Sequence, residues 1–192
     1  MWPLIDSVEG FLVSPEQERW LFRTARSLPD KANIVEIGSF KGRSTCCLAY
    51  GCMNTRKKVF AVDTFDGNSS DFAHRNFLCD FQRNIEERGL GQYVVPIRGL
   101  SATIGQFWNK PIHLLFIDGS HAYDDVVADF RNFFPHVVPQ GIVAFHDVVD
   151  TWPGPLKAWR DVASHELCQV GNRSTLAFGR KRPVSRTLDS RI

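Results

Sequence analysis

The sequence predicts an α/β fold, a Rossmann-like sandwich whose sheet is mostly parallel. Three observations point there. Strand-length apolar runs alternate with helix-patterned stretches along the chain, the signature of βαβ units. The fourth connecting helix has a clear helical period of apolar residues: Tyr123, Val126, Val127, Phe130, Phe133, Phe134 and Val137. Polar residues stand just after the first, second, fourth and fifth strand-like runs, at Glu36/Gly38, Asp63, Asp118 and His146/Asp147. Open parallel sheets hold their ligands at that edge.

The elements follow in order. Ser14 suits a helix N-cap, Pro15 its first turn and Gln17 the capping-box position, so a helix is expected from there to about Ser27. Ala32–Ile37 reads as the first strand and Ser44–Cys52 as the next helix. Val59–Asp63 is the second strand. A polar loop over Asp66–Asp71 leads to a helix over about Phe72–Arg88. Tyr93–Arg98 is the third strand, Ala102–Trp108 a short helix, and Ile112–Asp118 the fourth strand. Gly141–Phe145 is the fifth strand, and Lys157–His165 is expected to be helical. Two late strands, Leu167–Val170 and Thr175–Phe178, are joined by Gly171-Asn172-Arg173, a connection short enough for an antiparallel hairpin.

With 192 residues, 43% hydrophobic and 23% charged, the chain reads as one globular domain over residues 1–180 and a loose tail over 181–192. A net charge of +2 with scattered basic residues leaves no footprint for nucleic acid. No apolar run approaches the ~20 residues of a membrane span, and the N-terminus lacks a signal-peptide pattern. A cytoplasmic protein is expected, with a homodimer as the default assembly. The five cysteines lack paired-ligand spacing and read as small buried apolar side chains.

The first loop, Glu36-Ile37-Gly38-Ser39-Phe40-Lys41-Gly42-Arg43-Ser44, carries two glycines that permit a tight strand-to-helix turn. A dinucleotide fingerprint wants glycine where Phe40 stands, so that bare backbone can touch a pyrophosphate. An adenosyl cofactor without phosphates, S-adenosylmethionine, needs no such opening. Glu36 would then serve its cationic methionine end. Asp63, 25 residues beyond Gly38, can accept the ribose hydroxyls, with Thr64 beside it. Ser101 and Ala102, after the third strand, would line the adenine side. Gly119 and Ser120 follow Asp118 at the same edge.

These stretches resemble class I S-adenosylmethionine-dependent methyltransferases, in the small-molecule O-methyltransferase branch. Glu36-x-Gly38-x-Phe40-x-Gly42-x-Ser44 resembles the catechol-type loop Glu-x-Gly-x-Tyr-x-Gly-x-Ser. Ile117–Tyr123 resembles that family's Asp-x-x-Lys-x-x-Tyr stretch, and Pro139–Asp147 its Pro-Gly-Gly strand ending in Asp-Asn. The closer likeness is to the bacterial macrolide-sugar and cephamycin types, which also carry Ile-Asp-x-x-His and His-Asp or Asp-Asp endings. The resemblance covers about Val8 to Phe178. It implies a seven-stranded sheet in the order 3-2-1-4-5-7-6 with the last strand antiparallel, and a methyl acceptor held over the fourth and fifth strand ends. This chain departs from the catechol pattern at two places: the lysine is His121, and the first residue of the metal pair is His146.

His121 is the expected base, since imidazole titrates near pH 6.5; metal ligation and hydrogen bonding in support of the loops are its other readings. Asp118, His146 and Asp147 are the candidate ligands of a divalent cation. Carboxylates alone suit Mg²⁺, whereas an added imidazole shifts preference toward Mn²⁺, Fe²⁺ or Zn²⁺; hydrogen bonding in support of the loops is the other reading of His146. His113 and His136 read as structural. His74 belongs to surface or to a lid over Asp66–His74. Trp152-Pro153-Gly154-Pro155 is a candidate wall of the acceptor pocket. The expected reaction is O-methylation of a small hydroxylated acceptor, a sugar or natural product. The alternatives are an NAD(P)-dependent oxidoreductase, against which Phe40 counts, and an inactive S-adenosylmethionine-binding module.

Overall fold

The central strands carry almost unbroken apolar runs, Asn33-Ile-Val-Glu-Ile37 and Ile112-His-Leu-Leu-Phe-Ile117. Such runs lack the in–out alternation of a half-exposed strand and suit a sheet covered on both faces. Each large apolar side chain buried there contributes about 1.5–3 kcal/mol. The computed structural model describes residues 5, 7–8, 14–67 and 76–183. Its single sheet holds β1 (Asn33–Ile37), β2 (Lys58–Asp63), β3 (Val94–Arg98), β4 (Ile112–Ile117), β5 (Val137–Phe145), β6 (Leu167–Arg173) and β7 (Leu176–Lys181). They lie in the order β3-β2-β1-β4-β5-β7-β6. β1 to β5 are mutually parallel, and β7 is antiparallel to both of its neighbours.

Two apolar layers flank the sheet. One is closed by α1 (Pro15–Ser27), α2 (Arg43–Cys52) and α3 (Leu78–Glu86), which supply Leu21, Leu48 and Phe81. The other is closed by α4 (Ser101–Gln106), α5 (Tyr123–Phe133) and α6 (Pro153–Ala158), which supply Ile104, Phe130 and Ala158. Ser14 caps α1 as expected, its side chain accepting from the Gln17 amide. The other end of α1 is met by Lys57, fully buried, whose Nζ donates to the carbonyls of Ala25 and Arg26. No helix among the described residues is long and apolar enough to cross a membrane.

Several boundaries differ from the sequence expectation. α5 ends at Phe133, and a 3₁₀ turn, Phe134–His136, follows it. Pro135 lacks the N–H an α-helix would need there. Val137 therefore opens β5, four residues before the expected start at Gly141. The late hairpin turns at Ser174-Thr175, not at Gly171–Arg173. Gly171 stays in β6 because the Phe178 ring lies over it, within 3.0 Å of where a Cβ would stand. The helix expected from Lys157 starts at Pro153 and continues through a π-helical turn, Trp159–Ala163. α3 begins at Leu78 rather than Phe72, and residues 68–75, with His74 and most of the expected lid, fall outside the described residues.

Candidate functional site

Backbone hydrogen bonds extend the ladder past the strand ends and bring the candidate residues to one edge. Gly38 N donates to Val62 O at 2.9 Å, Asp118 N to Ile37 O at 2.8 Å, His146 N to Ile117 O at 3.0 Å and Gly99 N to Asp63 O at 2.9 Å. Gly38, Asp63, Gly99, Asp118 and His146 therefore stand along a single rim.

The first loop is held from within. Gly38 and Gly42 both have positive φ, at 85° and 90°, as a tight turn demands. Asp63 anchors the loop: its Oδ2 accepts from the amides of Ser39 and Phe40 at 2.7 and 2.8 Å, and its Oδ1 from Phe65 N at 2.7 Å. A carboxylate offers about four acceptor sites, so one remains for a ribose hydroxyl while the loop keeps this shape. Phe40 and Phe65 are themselves left-handed, at φ 46° and 58°. The Phe40 ring packs on Phe77 with centroids 4.6 Å apart.

Glu36 is fully buried beneath this loop. Its Oε2 accepts from Ser39 Oγ at 2.8 Å and from Thr45 Oγ1. Burial raises the Glu36 carboxyl to about 7, even though the hydroxyls of Ser44, Thr45 and Ser39 pull it down; Asp118 adds to the rise. The carboxyl thus titrates higher in the folded chain than its ordinary 4.5. Below that ordinary value it is protonated in both states and costs nothing. Stability is lost as pH climbs through about 7, where the folded chain must carry a buried anion. Glu36→Gln is expected to flatten this loss, read as a smaller drop in thermal midpoint between pH 5 and pH 8 than in the parent. An equal drop in both proteins would place the pH dependence elsewhere.

On the adenine side, Ser101 opens α4 and hydrogen-bonds to Asp129 of α5. Ala102 O accepts from Asn132 Nδ2 at 3.3 Å. Asp129 is 3% exposed, and burial raises its carboxyl to about 6. The sequence reading missed it, although a carboxylate on the apolar face of α5 was a visible signal. Thr64 accepts Arg98 Nε at its carbonyl and the Asp66 amide at Oγ1. Ser120 Oγ accepts from the Ala122 amide at 3.1 Å.

At the β4 and β5 ends the polar groups converge. His146 is 4% exposed. Its Nδ1 lies 3.0 Å from Asp118 Oδ1 and 3.3 Å from Asp147 Oδ2, yet it is not aligned for a hydrogen bond to either. Burial works against a charged His146, but Asp118 and Asp147 outweigh it and raise its pKa to about 10. Asp147 is half-buried, which would raise its carboxyl; the hydrogen bond from His121 and the charge of the nearby His146 and His121 rings hold it well below the usual range instead. One ligand atom each from Asp118, His146 and Asp147 lies within 4.8 Å of the others. Two carboxylates and an imidazole whose buried nitrogen has no aligned partner fit a divalent cation of the Mn²⁺, Fe²⁺ or Zn²⁺ type.

His121 Nε2 is 3.0 Å from Asp147 Oδ2, and its ring stacks on Trp152 at 4.0 Å and 25°. That stack depends on Gly154, where a Cβ would fall 2.0 Å from the His121 carbonyl oxygen. His113 sits in β4 and accepts the Asn33 amide at Nδ1, and His136 ends the 3₁₀ turn, so neither reaches this edge. A larger groove, about 560 Å³, runs between α1 and the β6–β7 hairpin, lined by Arg19, Trp20, Arg23, Arg173 and Arg180. None of the candidate residues lines it, so volume alone is a poor guide to the chemistry here.

A sheet of this order, flanked by helices on both faces, is the Rossmann-like methyltransferase fold. The chain belongs to the methyltransferase domain family, whose profile matches residues 35–148. Solved structures share the fold. The O-methyltransferase from Bacillus cereus in complex with S-adenosylhomocysteine superposes with a TM-score of 0.68 at 19% identity, over 92% of this chain and 86% of that one. The O-methyltransferase NovP gives 0.73 at 13% identity, over 90% and 82%. CalS11, a TDP-rhamnose 3′-O-methyltransferase of calicheamicin biosynthesis, gives 0.63 at 20% identity, over 85% and 76%. Among curated proteins, the uncharacterized protein y4gI of Sinorhizobium fredii is 31% identical over 156 residues. That match takes in 76% of this chain and only 16% of y4gI.

Proposed function

We propose that this chain transfers a methyl group from S-adenosylmethionine to a hydroxyl of a small acceptor, a sugar or natural product. The observation that carries the reading is the convergence of Asp118, His146, Asp147 and His121 at the β4–β5 edge, beside a nucleoside loop that has Phe40 where diphosphate binders need bare backbone. CalS11, NovP and the Bacillus cereus enzyme, all described as O-methyltransferases, support it through the shared fold.

The residues divide the work. Asp63 holds the first loop in shape and offers its remaining acceptor site to the ribose. Phe40, Gly38 and Ser44 shape the loop around the methionine portion. Asp147, held anionic, takes the proton-bearing Nε2 of His121, which leaves Nδ1 as the basic nitrogen for the acceptor hydroxyl. Trp152 fixes the plane of that ring and presents an apolar wall to the acceptor. Asp118, His146 and Asp147 would hold a divalent cation, which lowers the pKa of a hydroxyl bound to it.

Calorimetric titration with S-adenosylhomocysteine, followed by turnover of a panel of hydroxylated sugars and phenols with and without EDTA, tests this. Binding of the nucleoside and EDTA-sensitive methylation are expected. Absence of nucleoside binding refutes the cofactor reading, and full turnover in EDTA removes the cation.

A further inference from the structure

Behind His146, on the side away from the carboxylates, lies a polar pair, Gln17 buried and Thr175 half-buried, that the reaction as described does not use. Gln17, on α1, is fully buried, and its Nε2 donates to Thr175 Oγ1 at 2.7 Å across 158 residues of sequence. Thr175 Oγ1 in turn lies 3.4 Å from His146 Nε2. The Thr175 backbone is pinned as well, because Val148 N donates to its carbonyl at 2.8 Å. The order is thus Gln17, Thr175, His146, then Asp118 and Asp147.

We propose that Gln17 and Thr175 are positioning residues that hold the His146 ring with Nδ1 turned toward Asp118 and Asp147, and so set the affinity of the cation site. The chemistry follows from counting donors. A cation bound at Nδ1 requires the ring proton on Nε2. Thr175 Oγ1 has two lone pairs. Gln17 occupies one, which leaves the other to accept a hydrogen bond from an Nε2–H 3.4 Å away. Partners of this kind fix ring orientation and tautomer in metal-bound histidines, and losing one typically costs about 10–100-fold in affinity. The role rests on the cation site proposed above.

Mn²⁺ binding, measured by titration calorimetry and by loss of the free-ion EPR signal, tests it in four proteins. Thr175→Val keeps the side-chain shape and removes the acceptor; its Mn²⁺ affinity is expected to fall about 10–100-fold. Thr175→Ser restores the hydroxyl and with it most of the affinity. Gln17→Leu shifts affinity in the same direction by a smaller factor. It should not cost stability, since Gln17 Oε1 is a buried acceptor with no hydrogen-bond partner among the described residues. S-adenosylhomocysteine affinity, which depends on the other half of the rim, is expected to stay level in all four. Thr175→Val binding Mn²⁺ as tightly as the parent overturns the positioning role and leaves the cation site standing. A Thr175→Ser variant as weak as the valine variant also overturns it, because packing rather than the hydroxyl would then be responsible. A parent that binds no Mn²⁺, Fe²⁺ or Zn²⁺ overturns the cation site itself, and the positioning role with it.

Discussion

Alanine at Gly38 is expected to cost the chain most of its stability. A Cβ there would lie 2.1 Å from the Asp118 carbonyl oxygen, 2.5 Å from its carbon and 2.7 Å from Gly119 Cα. All three are backbone atoms, so no side chain can rotate away. Relief requires β1 and β4 to part at their upper ends, which breaks the Asp118 N to Ile37 O bond at 2.8 Å. A φ of 85° adds about 1–2 kcal/mol of strain for any residue with a Cβ. The sum belongs with the rare substitutions that exceed about 4 kcal/mol, a large share of the ~5–15 kcal/mol that holds a domain together. Thermal denaturation should show a midpoint lowered by about 10 °C or more, or no soluble protein. A drop under about 3 °C would mean that the two strand ends separate easily.

Asp147→Asn is expected to leave the fold intact and reduce kcat by about 10²–10⁴-fold, the span associated with a positioned acid or base. Asparagine keeps the volume and tolerates the left-handed backbone at φ 55°. It removes the charge that His121 and His146 both face, at 3.0 and 3.3 Å. His121 loses the anion that keeps its proton on Nε2, and the cation site loses a ligand. S-adenosylhomocysteine affinity should not change, since Asp63 and the first loop are untouched. A kcat within about tenfold of the parent would take Asp147, and the His121 base it orients, out of the mechanism.

The rim residues were legible because a parallel sheet places chemistry at fixed positions. An apolar run that gives way to Asp or His marks the ends of β2, β4 and β5, at Asp63, Asp118 and His146, and β1 carries Glu36 one residue before its end at Ile37. The order of strands came from likeness to a family, since strand-length runs alone do not say which neighbours pair. Boundaries failed where one residue type serves two geometries. Val137 fits the helical period of α5 and also a β-strand, and Pro135 between them was the deciding signal. Gly171 suggests a turn, but it provides the clearance that the Phe178 ring needs. The pair behind His146 left no trace in sequence. Gln17 fits a capping box and Thr175 a strand start, and only the folding of α1 against the β6–β7 hairpin joins them. Asp129 is a buried carboxylate that the helical pattern of α5 could have exposed.

Phe40, Phe65 and Asp147 hold left-handed backbones beside the ends of β1, β2 and β5, a conformation that costs of order 1–3 kcal/mol for such residues. Anyone seeking a heat-resistant version would look first to relaxing those three positions, at the expense, on the proposed function, of the loops that hold cofactor and acceptor. Safer ground for hardening lies at the opposite margin, among the solvent-facing turns where the parallel strands begin.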